Sequence, residues 1–283
     1  MASKLKIYKP KYPGYAEAPD YEVNCREMMA IWRDMGWVEF SYISEDYIWA
    51  NKAKTFLIWD RARIDDRPVP PFVQGLFGNT VPNHPQIHPW TFFARHPRKL
   101  CERIEKGINS YDDRPIHSIF MGKVENQVQA NGRLKHDWST CIEEFAMPVK
   151  MGDGGPGGSL VYTQEEYQDR LASSKFGLLL PGYGPKCNRD IECMGHGTVP
   201  IVVEGCDVVN YHEPWIEGVH YVGVKTPEEA SEKVSKISRK EWEYMHNACR
   251  SWYERNASPL GSFKLTEMLI DCLLYTSPSP RDS

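Results

Sequence analysis

The sequence predicts an α/β protein built on parallel sheets, with a small, irregular N-terminal domain before a regular C-terminal one. Short apolar segments alternate with helical segments from residue 111 onward, and this alternation is typical of parallel sheets covered by helices. A chain of 283 residues is long enough for two modest domains or one large one. We place the boundary near Tyr111, so that the expected domains are residues 1–110 and 111–274.

The N-terminal part contains two predicted helices and three predicted strands. Apolar residues form a helical stripe in 22–35, which ends at Gly36, and the segment 97–109 is amphipathic. The predicted strands are the alternating or apolar segments 4–8, 37–43 and 55–59. From 64 to 97 the chain is rich in Pro, His and aromatic residues, so few helices are expected there.

The C-terminal part is predicted as a regular succession of strands and helices. The predicted strands are 116–121, 146–150, 176–180, 198–203 and 221–224. The predicted helices are 131–145, 163–174, 188–194, 227–237, 240–253 and 260–273. Thr226 precedes two acidic residues, a pattern that marks a helix start because a threonine oxygen and nearby carboxylates both suit free helix N–H groups.

One βαβ unit, residues 174–203, carries the strongest functional pattern. Its first strand leads into a glycine loop, and a short helix and a β-branched strand follow. Open α/β sheets bind ligands at the carboxyl ends of their strands, and the free N–H groups of the helix point at the same place. The loop residues expected to approach a ligand there are Gly182, Tyr183 and Gly184.

Arg189 and Glu192 lie in the short helix of this unit and are three residues apart, so they share one helix face. A guanidinium can hold a diphosphate through two parallel hydrogen bonds. A carboxylate one turn further on can accept hydrogen bonds from ribose hydroxyls. A solvated ion pair is the alternative interpretation of the same spacing. Because the two residues lie inside a βαβ unit, a nucleotide site is favoured.

The same stretch resembles the C-terminal nucleotide-sugar-binding domain of exostosin-like glycosyltransferases, which have the GT-B fold of two Rossmann-like domains. The matching residues are Ser174-Lys175-Phe176, Gly182, Gly184, Arg189, Glu192 and Gly197-Thr198-Val199-Pro200-Ile201. The resemblance implies a GT-B-like fold and transfer of a sugar from a nucleotide-sugar to a glycan or other hydroxyl acceptor. It also implies no cofactor and no metal requirement, and no D-x-D motif occurs in the sequence.

Two basic residues are further donor-binding candidates, Lys123 after the first strand of the C-terminal domain and Arg133 in the next predicted helix. In the resembling family the loop after this strand faces the sugar-nucleotide, and a basic residue lies near the phosphates. An exposed surface charge is the alternative for each of them.

The general base that would deprotonate the acceptor is expected in the N-terminal domain. Asp60 is the candidate because it directly follows an apolar strand. The sequence leaves Asp65, Asp66 and His88 open as alternatives.

Several other patterns have simpler explanations. His84 and His88 are four residues apart, but the proline after each argues against one continuous helix face, so no metal site is expected. The Asp-Asp-Arg-Pro segments at 65–68 and 112–115 are typical of turns. The glycine-rich segment 152–158 lacks the Gly-Lys-Ser/Thr of a Walker loop and fits either a lid over the donor or a linker.

Composition narrows the function class. The net charge of −4 gives no basic footprint for nucleic acid, and no run of about twenty apolar residues is present to span a membrane. The N-terminus lacks the apolar core of a signal peptide, and the eight cysteines are scattered without C-x-x-C spacing, so we expect reduced thiols and a cytoplasmic location. Residues 275–283 show no periodicity and are typical of a translated adapter sequence, so we treat them as a non-native tail.

Two other functions compete with the exostosin-like interpretation. A fucosyltransferase-like GT-B enzyme shares the order strand, helix and Gly-x-Val-Pro, but its motif carries Tyr-x-Thr-Glu-Lys where this chain has the segment 188–192, Asn-Arg-Asp-Ile-Glu. A non-catalytic carbohydrate- or nucleotide-binding module is the third possibility, and the short N-terminal domain favours it.

Overall fold

The computed structural model describes residues 5–10, 21–43, 56–59, 74–78, 87–149, 162–182 and 184–276. Ten β-strands and eight α-helices lie in these segments. Every pair of strands formed by these ten is parallel. The predicted α/β fold with parallel sheets is therefore confirmed.

Two small sheets form the N-terminal part. Strands β1 and β2 pair with each other, and the helix α1 lies between them in the chain. Strands β3, β4 and β5 form a second sheet in that order. Their bounds are β1 Leu5–Pro10, α1 Tyr21–Asp34, β2 Val38–Ile43, β3 Phe56–Trp59, β4 Gln74–Phe77 and β5 Ile87–Pro89. Strands β4 and β5 lie in the proline-rich segment, and they are too short for an alternating apolar pattern to reveal them in the sequence.

The C-terminal part is built on one sheet of five strands in the order β10-β9-β8-β6-β7. The strands are β6 Ile116–Met121, β7 Glu144–Ala146, β8 Ser174–Leu179, β9 Val199–Val203 and β10 Val222–Val224. Seen from β6, the chain first adds β7 on one side and then crosses back to add β8, β9 and β10 on the other. This order creates a switch point between β6 and β8, where crevices form in open α/β sheets.

Seven helices follow α1 along the described chain. They are α2 Pro97–Glu105, α3 Gln127–Arg133, α4 Gln164–Ala172, α5 Asn188–His196, α6 Pro227–Ser235, α7 Arg239–Asn256 and α8 Pro259–Thr276. Thr226 caps α6 as predicted, because its side chain accepts a hydrogen bond from the Glu229 N–H. Helix α5 ends at Gly197, whose φ of 68° is in the left-handed region that glycine adopts without strain.

The helix predicted at 131–145 is wrong. Helix α3 ends at Arg133, a 3-10 turn occupies Trp138–Thr140, and β7 follows. Asp137 accepts a hydrogen bond from the Ser139 N–H at 3.1 Å, and such local bonds compete with helical ones. The strand predicted at 146–150 correspondingly lies earlier, at β7, because Phe145 pairs with Phe120 of β6.

Both faces of the five-stranded sheet are covered, as a fully parallel sheet requires. Alternate residues of one strand enter opposite clusters: Leu179 packs with the buried residues of α4, α5 and the second half of α7. Leu178 and Leu180 pack on the other face with the 3-10 turn, α6 and the first half of α7. Helix α5 is therefore enclosed, and its residues from Arg189 to His196 are all buried.

A third cluster joins the two ends of the described chain. Helix α8 packs against α1, and the Trp32 indole donates to the Pro259 carbonyl at 2.9 Å. The Trp90 indole donates to the Thr266 hydroxyl, also at 2.9 Å. The domain boundary near Tyr111 stays a prediction. No helix in the described ranges is long and apolar enough to cross a membrane.

Candidate functional site

The switch point between β6 and β8 opens into a cavity of about 430 Å³. The loop that follows β6, the glycine loop that follows β8 and the first turn of α5 form its walls. Parallel strands end at the same edge of the sheet, so these three segments meet there although the sequence separates them. The lining residues are Phe92, Arg95, Met121, Gly122, Lys123, Glu125, Gln129, Arg133, Gln164, Tyr167, Gly182, Lys186, Cys187, Asn188, Arg189 and Glu192.

Arg189 is a buried cation with unused hydrogen-bonding capacity. Its Nη2 donates to the Met121 carbonyl, and its guanidinium carbon lies 4.3 Å from the centre of the Phe120 ring. Its Nε and Nη1 are buried and have no hydrogen-bond partner among the described residues. A buried N–H group without a partner costs about 1–3 kcal/mol, more when the group is charged. An anion in the cavity would remove this cost.

Gly122 makes room for that guanidinium. A Cβ atom at this position would lie 2.7 Å from the Arg189 Nη2 and 2.8 Å from the Phe120 ring. Such distances are far below van der Waals contact, so a side chain at 122 would displace Arg189. Gly182 is confined in the same way, since its Cβ would lie 2.8 Å from the Cys187 sulfur.

Glu192 lies one turn beyond Arg189 and lines the same cavity. Its Oε1 accepts a hydrogen bond from the Arg95 backbone N–H at 3.1 Å. Its Oε2 accepts one from the Tyr167 hydroxyl at 2.8 Å. The structure therefore brings Arg189 and Glu192 to one wall, as the helix spacing predicted.

Lys123 and Arg133 also reach the cavity, but both have protein partners. The Lys123 Nζ lies 2.5 Å from the Glu125 Oε1. The Arg133 guanidinium donates to the Pro181 carbonyl at 2.8 Å and to the Lys123 carbonyl, and its Nη2 lies 3.9 Å from the Cys187 sulfur. Arg133 therefore ties the loop after β6 to the glycine loop after β8.

Asp190 closes the first turn of α5. Its Oδ2 accepts a hydrogen bond from the Cys187 N–H at 2.8 Å, while its Oδ1 is buried without a partner. Burial raises the pKa of the Asp190 carboxyl to about 7, although the Cys187 N–H and the neighbouring cations Arg189 and Lys186 act in the opposite direction. Burial also raises the pKa of the Cys187 thiol to about 11.

The remaining predicted site residues are Tyr183, Gly184 and Asp60, with Asp65, Asp66 and His88 as alternatives to Asp60. Tyr183 and Asp60 lie outside the described residues, as do Asp65 and Asp66 and the glycine-rich segment 152–158. The Gly184 carbonyl accepts a hydrogen bond from the Gly182 N–H at 3.0 Å and so closes the glycine loop.

The structure describes His88 and the second Asp-Asp-Arg-Pro segment, two of the patterns for which the sequence suggested a simple explanation. His88 lies in β5 and is not among the described residues that line the cavity. In the second Asp-Asp-Arg-Pro segment, Asp113 accepts hydrogen bonds from the N–H and the hydroxyl of Ser110, which confirms a turn there. The described ranges contain no cluster of three or more His, Cys, Asp or Glu residues that could hold a metal ion.

Sequence reasoning missed several wall residues. Tyr167 and Gln164 lie in the first turn of α4, and the Thr-x-x-Glu capping box that starts this helix was the available signal. Lys186 is buried and donates to the Gly78 carbonyl at 3.1 Å and the Asn210 carbonyl at 2.5 Å. No local pattern marks Lys186, because its partners come from distant parts of the chain.

Fold and site together define a class: a parallel α/β protein whose switch-point cavity holds a buried arginine beside a helix N-terminus and a hydrogen-bonded carboxylate. No protein-family model and no curated protein matches the sequence.

Two solved glycosyltransferase structures are similar to the chain. A glycosyltransferase from Rickettsia africae ESF-5 matches with a TM-score of 0.44 and 12% identity, over 94% of this chain and 85% of that one. An alpha1,3-fucosyltransferase matches with a TM-score of 0.41 and 9% identity, over 95% of this chain and 90% of that one.

Proposed function

We propose that the protein is a glycosyltransferase that takes its sugar from a nucleoside diphosphate sugar and passes it to a hydroxyl acceptor. The observation that carries this proposal is the buried Arg189, whose Nε and Nη1 lack partners while the residue lines the switch-point cavity. A diphosphate supplies the anion that such a guanidinium needs. The N-terminal turn of α5, where the helix dipole favours an anion, lies at the same wall.

The proposed roles follow the chemistry of glycosyl transfer. The bond between the anomeric carbon and the diphosphate oxygen breaks, a bond to the acceptor oxygen forms, and the acceptor proton passes to a base. The electron pair of the broken bond leaves with the diphosphate, so negative charge grows there and Arg189 is suited to stabilise it. Glu192 would accept hydrogen bonds from the ribose, and Gly122 leaves the room that the Arg189 guanidinium occupies.

Within this class, the exostosin-like family is the proposed one, because its Arg-x-x-Glu spacing matches Arg189 and Glu192. Lys123 and Arg133 take part in the donor site in different ways. Lys123 can turn from Glu125 toward a phosphate, whereas Arg133 holds the two loops that form the wall. Asp60 remains the proposed general base.

The test measures binding and turnover on the same protein. We expect UDP, GDP or dTDP, or a sugar nucleotide of one of them, to raise the melting temperature. At a hundred times its dissociation constant a ligand stabilises by about 2.7 kcal/mol. Arg189→Ala should weaken binding about tenfold or more, because a charge-assisted bidentate contact is lost. Turnover is the release of nucleoside diphosphate in the presence of a glycan acceptor.

The matched control is Arg239→Ala, which removes an exposed arginine paired with Asp112 and Glu243 outside the cavity wall. It should bind nucleotide like the wild type. Binding without turnover would indicate a non-catalytic module, and a response to GDP-fucose alone would favour a fucosyltransferase-like enzyme. Absence of any nucleotide response in a folded sample would refute the proposal.

A further inference from the structure

We propose that Tyr167 is a positioning residue that sets the Glu192 carboxylate to accept the vicinal diol of a ribose. This inference rests on the proposed function, since it concerns the same cavity. It adds a positioning residue, Tyr167, that the Arg-x-x-Glu spacing does not supply.

The geometry around Glu192 assigns one protein donor to each carboxylate oxygen. Tyr167 donates to Oε2 at 2.8 Å, and the Arg95 backbone N–H donates to Oε1 at 3.1 Å. An ionised carboxylate offers about four acceptor positions, so each oxygen retains capacity for one more donor. All three residues line the cavity, and the two protein donors fix the plane of the carboxylate.

Tyr167 is suited to donate and not to accept. Its side chain is buried, and burial, followed by the negative charge of Glu192, raises the pKa of Tyr167 well above its ordinary value. The hydroxyl therefore keeps its proton, and that proton is directed at Glu192. Two adjacent hydroxyls on a furanose ring present two donors side by side, which is what a carboxylate with one free position on each oxygen can accept.

The same hydrogen bonds have a purely structural interpretation. Tyr167 belongs to α4 and Glu192 to α5, so their bond also joins two neighbouring helices. A structural role would affect ribonucleotides and deoxyribonucleotides equally. A positioning role changes the ratio of their affinities, and this ratio distinguishes the two interpretations even if stability changes.

The experiment measures dissociation constants by calorimetry for UDP, GDP, ADP and CDP, for the 2′-deoxy form of each, and for inorganic pyrophosphate. We expect the wild-type protein to prefer the best ribonucleotide over its deoxy form by about tenfold or more, because the deoxy sugar leaves one acceptor position of the buried carboxylate without a ligand donor. Tyr167→Phe should lose most of this preference and bind pyrophosphate unchanged.

Two further variants control the result. Tyr162→Phe removes the hydroxyl of another partly buried tyrosine that packs on the same core cluster, and it should keep the wild-type preference. Glu192→Gln removes the charged acceptor while keeping the side-chain volume, so it should lower the preference even if Tyr167→Phe folds poorly.

The outcomes separate this inference from the proposed function. Equal weakening of both nucleotide forms in Tyr167→Phe, or a wild-type protein that binds both equally, would overturn the role of Tyr167. In those cases pyrophosphate binding and its dependence on Arg189 would still support the proposed donor site. If the wild-type protein binds neither pyrophosphate nor any of the nucleotides, the proposed function is overturned as well.

Discussion

Arg189 and Asp190 are neighbours in the first turn of α5, and each keeps a buried polar atom without a partner among the described residues. A buried polar atom without a partner costs free energy, and the two residues differ in how this cost can be removed. Arg189 stays charged at every accessible pH, so an acceptor from outside the described residues, best an anion, has to complete its hydrogen bonds. Asp190 can instead take up a proton, and burial raises its pKa to about 7.

The proton on Asp190 gives the protein a pH-dependent stability. The folded-state pKa lies above the ordinary value of 3.8, so the folded state binds more protons, and stability falls as the pH rises from about 4 through about 7. We expect Asp190→Asn, which mimics the neutral carboxyl, to be closer to the wild type in melting temperature at pH 5 than at pH 8. At pH 8 the variant should be the more stable protein.

The control for this prediction is Asp169→Asn, which changes an exposed aspartate paired with Arg103. The difference between this control and the wild type should be the same at both pH values. If the Asp190→Asn difference is also constant between pH 5 and pH 8, the Asp190 carboxyl does not titrate in this range and the prediction fails.

The sequence predicted the residues of this turn but not their partners. Arg189 and Glu192 follow from helical spacing within one segment, which is local information. Tyr167, Lys186 and Arg95 join the site through contacts with residues of other segments, such as the Lys186 bond to the Gly78 carbonyl. Only the three-dimensional order of strands brings such residues together, so a single sequence does not reveal them.

At the scale of elements, the net charge that the loop after β6 presents to the cavity depends on one ion pair, Lys123 with Glu125. The Lys123 Nζ and the Glu125 Oε1 are 2.5 Å apart, and both side chains line the cavity. The Glu125 carboxylate offsets the charge of Lys123 and so reduces the attraction of the cavity for anions. Binding of a diphosphate therefore competes with this pair.

We expect Glu125→Gln to bind inorganic pyrophosphate about two- to fivefold more tightly than the wild type, the range set by a partly exposed ion pair. The gain should shrink as salt is added, because screening weakens the freed charge. Calorimetry at two salt concentrations measures both effects.

Glu144→Gln is the matched control, since Glu144 forms an ion pair of the same 2.5 Å length with Arg170 outside the cavity wall. It should leave pyrophosphate affinity unchanged. Weaker binding by Glu125→Gln would show that the Glu125 carboxylate supports the ligand and does not compete with it.

Element prediction succeeded where the pattern was strong and local. Strand β6 was predicted with its observed bounds, and α5 was predicted from its first residue to within two of its last. The helix predicted at 131–145 failed because Trp138 is drawn into the core and residues 144–146 pair with β6. Both causes are tertiary contacts, which override local propensity.

At the scale of the whole molecule, the order of strands decides where the site forms, and α8 decides how the ends of the chain are joined. The switch point follows from β7 and β8 lying on opposite sides of β6. The return of α8 to α1 could not be predicted, because an amphipathic pattern shows that a helix has a buried face but not what covers it.

The packing of α8 makes the stability of the N-terminal cluster depend on the last helix. Phe263 is buried, and its ring centre lies 5.9 Å from that of Trp32 and 5.2 Å from that of Trp37. Helix α8 also packs closely on α7, since a Cβ at Gly261 would lie 2.0 Å from the Glu254 carbonyl oxygen. We therefore expect the described chain to unfold as one cooperative unit.

Phe263→Ala should lower the free energy of unfolding by about 3–5 kcal/mol, the usual cost of a phenylalanine truncated in a core. Met268→Ala on the same helix is the control, because Met268 is 41% exposed, and it should change stability by less than about 0.5 kcal/mol. Denaturant unfolding followed by tryptophan fluorescence and by nucleotide binding should give coincident single transitions for all three proteins. If Phe263→Ala instead unfolds in two steps and keeps nucleotide binding through the first, the cluster of α1 and α8 is a separate unit. The cavity would then depend on the five-stranded sheet alone.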